Sequence, residues 1–187
     1  VDEKKFISGI HTEIYEKLGS HFVEQNGVKG VYFAVWAPNA LRVSVVGDFN
    51  LWDGRIHQMR KLNDSGIFEI FIPGLSEGEI YKYEIRKKNQ DVVLKSDPYG
   101  YQMEYRPDNA TVICDISGYQ WEDTDWMKAR KKTDTKTSPM SVYEVHLGSF
   151  RKPEKEEERD FYNYRELAVM IAEHVKKVGY THVELMP

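Results

Sequence analysis

Two stretches in the first half of the chain alternate apolar with polar or small side chains, which is the pattern of β-strands with one buried face. In the first stretch Val31, Phe33 and Val35 lie on one face, and in the second Val43 and Val45 are separated by a serine. Turn residues, a proline followed by an asparagine, stand between the two runs. The pattern therefore predicts two strands joined as a hairpin.

Further short runs of strand-forming residues follow, and most are closed by turn residues. They lie at Ile67–Ile72, Tyr81–Arg86, Val92–Leu94 and Thr111–Cys114. Several short strands separated by turn signals are typical of a β-sandwich. We therefore predict a mainly β fold, with an immunoglobulin-like β-sandwich over residues 27–116. An N-terminal segment, residues 1–26, precedes it and contains a short helical turn near residues 11–18.

The strand that begins at Val43 ends in a polar loop that carries two large aromatic side chains. This loop, residues 47–54, contains Phe49 and Trp52 among glycine, asparagine and aspartate residues. Turns favour those small polar residues for backbone reasons and gain nothing from rings, so at least one ring belongs to the core or forms a binding platform.

A flat indole can cover the C–H face of a sugar ring while polar groups such as Asn50 and Lys82 bond the hydroxyls at its rim. Two interpretations of Trp52 stay open: it is a sugar platform, or it caps the end of the sandwich. Lys82 lies on the solvated face of its strand. It either contacts a ligand there or only provides solubility and protects the sheet edge.

Residues 141–187 follow a different pattern, after a polar linker at residues 117–140. Two strands are predicted, at Ser141–Leu147 and Thr181–Met186. Between them Asn163 and Glu166 have the spacing of a capping box, followed by a helix. A strand, a helix and a strand predict a parallel βαβ unit. Its strand edges and one sheet face are bare, so we expect an incomplete β/α unit of a larger sheet or barrel, and a chain that is part of something larger.

The two predicted strands of this unit each carry a glutamate, Glu144 and Glu184. If Tyr143 and Val145 pack against the helix, both glutamates lie on the opposite face. Paired carboxylates can hydrolyse glycosides. However, the chemistry of a barrel is carried by the C-terminal ends of its strands, so we interpret the two glutamates as members of a structural polar layer with His146 and His182.

Composition excludes several classes of function. The net charge is −4 and there is no extensive run of basic residues, so we predict no nucleic-acid partner. No apolar stretch has the length of a membrane span, which predicts no membrane partner. One cysteine, Cys114, excludes an internal disulfide framework and suggests a cytoplasmic protein. No histidine, cysteine and carboxylate spacing typical of a metal site is present, so we predict neither a metal nor a cofactor.

Seven stretches resemble, in order and spacing, bacterial 1,4-α-glucan branching enzymes. They are VYFAVWAPNALRVSVVGDFNLWDG, GIFEIFIPG, IYKYEI, LKSDPYG, SVYEVHLGSF, YRELA and VGYTHVELMP. The resemblance implies that residues 27–116 are a carbohydrate-binding module of family 48. It also implies that residues 141–187 are the first strand-helix-strand of the TIM-type catalytic barrel of the α-amylase superfamily.

The resemblance further implies a reaction for the parent protein, which is a glycosyltransferase of glycogen biosynthesis. It moves a segment of α-1,4-glucan to a 6-hydroxyl and so makes an α-1,6 branch, using a nucleophilic and an acid/base carboxylate. Those carboxylates lie on later barrel strands, so no catalytic residue is assigned here and the chain alone is expected to be inactive. The expected partners are α-glucans (glycogen, amylose and maltooligosaccharides) and the remainder of the barrel.

By resemblance, Trp52 and Lys82 correspond to glucan-contacting residues of such modules, whereas a second tryptophan expected near Val92–Leu94 is missing. Two alternatives remain at this point. One is a non-catalytic glycogen-binding module, against which the terminal βαβ unit argues. The other is part of a related debranching enzyme or trehalohydrolase.

Overall fold

The computed structural model describes residues 3–154 and 159–186, which fall into two units, Val1–Gln120 and Trp121–Pro187. The first unit begins with helix α1 (Glu3–Ile7) and has 3₁₀ turns at Ile14–Glu16 and Asp48–Asn50. Its strands, in chain order, are β1 (Gly19–Gln25), β2 (Val28–Trp36), β3 (Ala40–Gly47), β4 (Arg60–Leu62), β5 (Ile67–Pro73), β6 (Ile80–Lys87), β7 (Val92–Lys95), β8 (Gln102–Met103) and β9 (Thr111–Val112).

These strands form two antiparallel sheets. One sheet has the order β1-β2-β5-β4, and the other has the order β3-β6-β9-β8 with β7 also paired to β6. Apolar side chains of both sheets form one buried cluster that includes Val31, Phe33, Val43, Val45 and Tyr83. Because alternate residues of each strand lie inside, the sheets pack face to face as a sandwich. The mainly β, immunoglobulin-like fold class predicted from the sequence is confirmed.

The core contains one buried carboxylate. Asp97 is 5% exposed and accepts hydrogen bonds from the hydroxyls of Tyr81 at 2.6 Å and Tyr83 at 2.9 Å, and from the backbone N–H of Tyr99 at 2.8 Å. Its own N–H donates to Thr111 Oγ1 at 2.8 Å. Burial raises the pKa of the carboxyl. The side chain thus ties the segment after β7 to the middle of the core, since three donors converge on it.

The outer face of the first sheet is covered by the N-terminal segment. Leu18, Ala34 and Ile67 are buried together there, with Phe6 and Ile14 packed against them. The predicted helical turn near residues 11–18 is present as the 3₁₀ turn at Ile14–Glu16.

Two features of the sandwich differ from the sequence predictions. The β2–β3 hairpin was wrong: β2 pairs with β1 and β5, whereas β3 pairs with β6 in the other sheet. Within the turn between them the N–H of Ala40 donates to Ala37 O at 3.0 Å, and the N–H of Ala37 donates to Gly66 O at 2.8 Å. This turn carries the chain from one sheet to the other. Strand β1 was not predicted, because Phe22 and Val23 are the only large apolar residues in it.

The second unit consists of α2 (Thr124–Lys132), β10 (Val142–His146), α3 (Leu147–Phe150), α4 (Tyr164–Val178) and β11 (His182–Met186). Strands β10 and β11 are parallel, as predicted. Asn163 Oδ1 accepts from the N–H groups of Arg165 and Glu166, while Glu166 accepts from the N–H of Asn163, so the predicted capping box is confirmed. Helix α2 lies where the sequence predicted only an irregular linker.

We expect Asp97→Ala to lower the free energy of unfolding by about 3 kcal/mol, because two buried hydroxyls and one N–H lose their acceptor. Urea unfolding followed by circular dichroism measures the change. Asp64→Ala, at an exposed turn position, is the matched control and should change the value by less than about 0.5 kcal/mol. Equal losses from the two variants would contradict the anchoring role of Asp97.

Candidate functional site

The aromatic loop, residues 47–54, begins at the point where β3 ends. Gly47 pairs with Tyr81 of β6, and a Cβ on Gly47 would lie 2.2 Å from the carbonyl oxygen of Ile80 and 2.5 Å from the Phe49 ring. Only glycine fits there without a shift in the backbone. The chain then turns through Asp48–Asn50, and the N–H of Trp52 donates back to Gly47 O at 2.9 Å.

Asn50 holds this turn together from inside. It is 4% exposed, and its Oδ1 accepts from the N–H of Gly47 at 3.0 Å. Its Nδ2 donates to Val45 O and to His57 Nδ1, both at 2.9 Å. With both amide hydrogens used and the side chain buried, the geometry supports a role for Asn50 in shaping the loop rather than at the rim of a ligand.

Leu51 and Trp52 follow Asn50 in left-handed backbone conformations, with φ of 55° and 58°. This conformation costs an L-residue about 1–2 kcal/mol. The Leu51 side chain is 87% exposed and gains no burial to offset that cost. The loop therefore depends on its hydrogen bonds, those of Asn50 above all.

Trp52 is half-buried, and its Nε1 donates to Asp48 Oδ1 at 2.7 Å. The indole is thus tethered at one edge while part of its surface remains accessible. A tethered ring loses little freedom on contact with a ligand, which is the property expected of a platform.

Lys82 lies on the outer face of β6, on the same side as the loop. Val46, one residue before Gly47, pairs with Lys82. A Cβ on Gly54, at the end of the loop, would meet the carboxylate of Glu84, which is two residues from Lys82 on the same face. Loop and lysine therefore share one surface.

Asn109 is a member of this surface that the sequence analysis missed. Lys82 Nζ donates to its Oδ1 at 2.5 Å. The only sequence signal was an Asn-Ala-Thr match to a glycosylation sequon, which has no bearing on the contact. Asn109 lies just before β9 and approaches Lys82 only because β9 pairs with the start of β6.

The position of the absent second tryptophan is aliphatic. Leu94 of β7 pairs with Glu84 and is 50% exposed, so it belongs to the same outer face as Lys82. Val92, also exposed, pairs with Arg86. At β7 this face is therefore aliphatic, where the resemblance leads one to expect an indole.

In the second unit Glu144 and Glu184 lie directly opposite each other on β10 and β11. Tyr143 and Val145 pack toward α4, which supports the predicted alternation. The neighbouring histidines bond elsewhere: His146 Nδ1 to Ser149 Oγ at 3.0 Å, and His182 Nδ1 to Thr181 Oγ1 at 2.8 Å. The polar layer that the sequence suggested for the four side chains stays a prediction.

Two titratable groups in and beside the loop have a shifted pKa. Hydrogen bonds from Arg55 lower the pKa of Asp53 to about 2. Burial lowers the pKa of His57.

Within residues 3–154 and 159–186, no group of three or more histidine, cysteine or acidic side chains is placed to hold a metal ion. No helix in the same part of the chain is both long and apolar enough to cross a membrane.

Residues 17–100 match the family model of carbohydrate-binding module 48, the isoamylase N-terminal domain. The 1,4-alpha-glucan branching enzyme of a Nostoc species is 50% identical over 202 residues, which cover 97% of this chain and 26% of that enzyme. The enzyme of Cellvibrio japonicus is 50% identical over 188 residues, 100% of this chain and 25% of that enzyme. The chain thus spans about a quarter of the length of these relatives.

Solved structures share the fold at lower identity. A G680L mutant of PulA from Klebsiella pneumoniae has a TM-score of 0.63 and 20% identity, over 91% of this chain and 17% of that one. The catalytic module of the pneumococcal protein SpuA has a TM-score of 0.58 and 20% identity, over 91% of this chain and 27% of that one. At this identity the likeness concerns the fold.

We expect Asn50→Ala to lower the free energy of unfolding by about 2 kcal/mol, because the Gly47 N–H loses its buried acceptor. Trp52→Ala should cost less than about 1 kcal/mol if the indole is a platform. Thermal and urea unfolding measure both, with exposed Asn39→Ala as the control. A loss of about 3 kcal/mol or more from Trp52→Ala would instead identify the ring as a cap of the sandwich.

Proposed function

We propose that this chain is the glucan-anchoring and barrel-supporting part of a 1,4-alpha-glucan branching enzyme, because residues 17–100 match the model of carbohydrate-binding module 48 and the chain is about 50% identical to such enzymes. The complete enzyme would transfer an α-1,4-glucan segment to a 6-hydroxyl and make α-1,6 branches in glycogen. The observation that carries the proposal is the common surface of the Trp52 loop and Lys82, within the matched module.

The surface suits an α-glucan chain. The accessible part of the Trp52 indole can cover the C–H face of a glucose ring. The ammonium of Lys82 and the amide of Asn109 can donate to hydroxyls at the rim, and the Asn109 carbonyl oxygen can accept from them. We therefore propose glycogen, amylose and maltooligosaccharides as ligands, contacted by Trp52 and Lys82 with Asn109 beside them.

Asn50 takes a different part in the proposed site. Its amide is buried and bonded within the loop. We assign it to positioning Trp52, and not to the direct sugar contact that the sequence suggested.

The second unit favours an enzyme over a free-standing glycogen-binding module. Strands β10 and β11 are parallel and α4 packs on β10, as in one repeat of a β/α barrel. A binding module alone has no use for such a repeat. Identity near 50% to 1,4-alpha-glucan branching enzymes favours branching as the reaction of the complete enzyme. A cytoplasmic location stays a prediction.

The chain should be retarded in a native gel that contains glycogen, compared with a gel without it. Trp52→Ala should weaken the apparent affinity at least ten-fold, which corresponds to about 1.4 kcal/mol, and Lys82→Ala should weaken it about three-fold. Trp126→Ala removes an exposed indole of the second unit and is the matched control. Retardation that survives Trp52→Ala unchanged would contradict the proposed platform.

We expect no branching activity from the 187-residue chain. The proposal assigns the nucleophile and the acid/base carboxylate to parts of the enzyme outside this sequence. Incubation with amylose should leave the absorbance of the iodine complex unchanged, while a complete branching enzyme lowers it. A decrease with the purified chain, absent after heat inactivation, would place catalytic groups within these residues.

A further inference from the structure

The hydrogen bonds of Asn50 determine the protonation state of His57. The N–H of Gly47 donates to Oδ1 of Asn50, so the other terminal atom of that side chain is the nitrogen. Nδ2 can only donate hydrogen bonds, and it lies 2.9 Å from His57 Nδ1. His57 Nδ1 must therefore accept. The ring is neutral, with its proton on Nε2.

We infer that His57 is a positioning residue of the proposed glucan site, and that protonation of its ring loosens the Trp52 loop and weakens glucan binding. The inference rests on the proposed function. An imidazolium carries N–H groups on both nitrogens, so a protonated His57 would turn a donor toward the donor Nδ2 of Asn50. That hydrogen bond would be lost.

We expect the conformation of the loop to change when this hydrogen bond is lost. Leu51 and Trp52 directly follow Asn50 and hold left-handed backbone conformations that the surrounding contacts must maintain. The Asn50 side chain joins the start of the loop, at Gly47, to His57 on its far side. Release of one end leaves Asn50 bound to β3 alone, so the turn that presents the indole is held by fewer hydrogen bonds.

The direction of the pH dependence follows from burial. Burial lowers the pKa of His57, so the folded loop binds a proton less readily than an open one. The closed loop is therefore fully stable above the ordinary histidine value of about 6.5, and it loses stability as the pH falls below that value. Glucan affinity should fall over the same range.

Charged groups also lie in the loop and on the strands beside it. They are Asp48, Asp53, Arg55, Arg42, Lys82 and Glu84. Asp53 pairs with Arg55 at 2.6 Å, and Arg42 pairs with Glu84 at 2.5 Å. The Phe49 ring packs on the imidazole, with 5.7 Å between the centroids. A variant that changes only the imidazole separates its titration from that of the acidic groups.

Co-sedimentation with glycogen between pH 5.0 and pH 8.0 tests the inference with the intact chain. The dissociation constant of the unaltered chain should rise at least five-fold between pH 7.5 and pH 5.0. His57→Asn offers a non-titrating amide oxygen in place of Nδ1. It should bind within about two-fold of the unaltered chain at pH 7.5 and lose the pH dependence. His57→Leu should bind weakly at every pH.

His21→Asn, which removes another histidine of the same unit, is the matched control and should keep the pH profile. Binding that depends on Trp52 but is equal at pH 5.0 and pH 7.5 would overturn the inference and leave the proposed function standing. A pH profile that survives His57→Asn would overturn it as well. No binding at any pH would contradict the proposed function and the inference together.

A measurement without glucan examines the linkage by itself. The Asn50 side-chain amide signals in a ¹H–¹⁵N spectrum should shift between pH 7.5 and pH 5.0, together with the His57 ring signals. In His57→Asn they should stay in place. Asn50 signals that do not follow the titration of His57 would overturn the inference whatever the binding assay gives.

Discussion

The alternation of side chains along β6 connects the core of the sandwich to its proposed binding face. Tyr81 and Tyr83 lie inside and bond to Asp97, while Lys82 and Glu84 lie outside and meet Asn109 and the aromatic loop. A strand cannot move one set without the other, because successive residues alternate between its faces. The buried carboxylate therefore also fixes where Lys82 stands relative to the loop.

Much of the fold could be predicted from the sequence, because alternation and turn residues are local signals. They located strands β2, β3, β5 and β6, and the capping box located α4. These local signals did not predict the features that tertiary contacts determine. Nothing local shows that β2 and β3 belong to different sheets, and β1 has too few large apolar residues to be predicted without its partner β2.

The candidate site was predictable in part for the same reason. Trp52 was found because an indole in a turn needs an explanation, and Lys82 because it faces away from the core. Asn109 was missed because it approaches Lys82 only through the pairing of β9 with β6. Asn50 was also found, but its residue type suits both a ligand contact and a turn, and the sequence could not show the burial and hydrogen bonds that favour the second.

The placement of β2 and β3 in different sheets also bears on how the chain reaches its native state. Strand β2 pairs locally with β1 along one edge, but its other edge pairs Val31 with Ile72 of β5. Strand β3 pairs Val43 with Ile85 of β6, so both strands need a partner that lies far along the sequence. Such long-range pairings must close large loops before they gain stability, which slows folding. During synthesis β3 and one edge of β2 emerge from the ribosome before β5 and β6, and these edges stay unpaired until the downstream partners arrive.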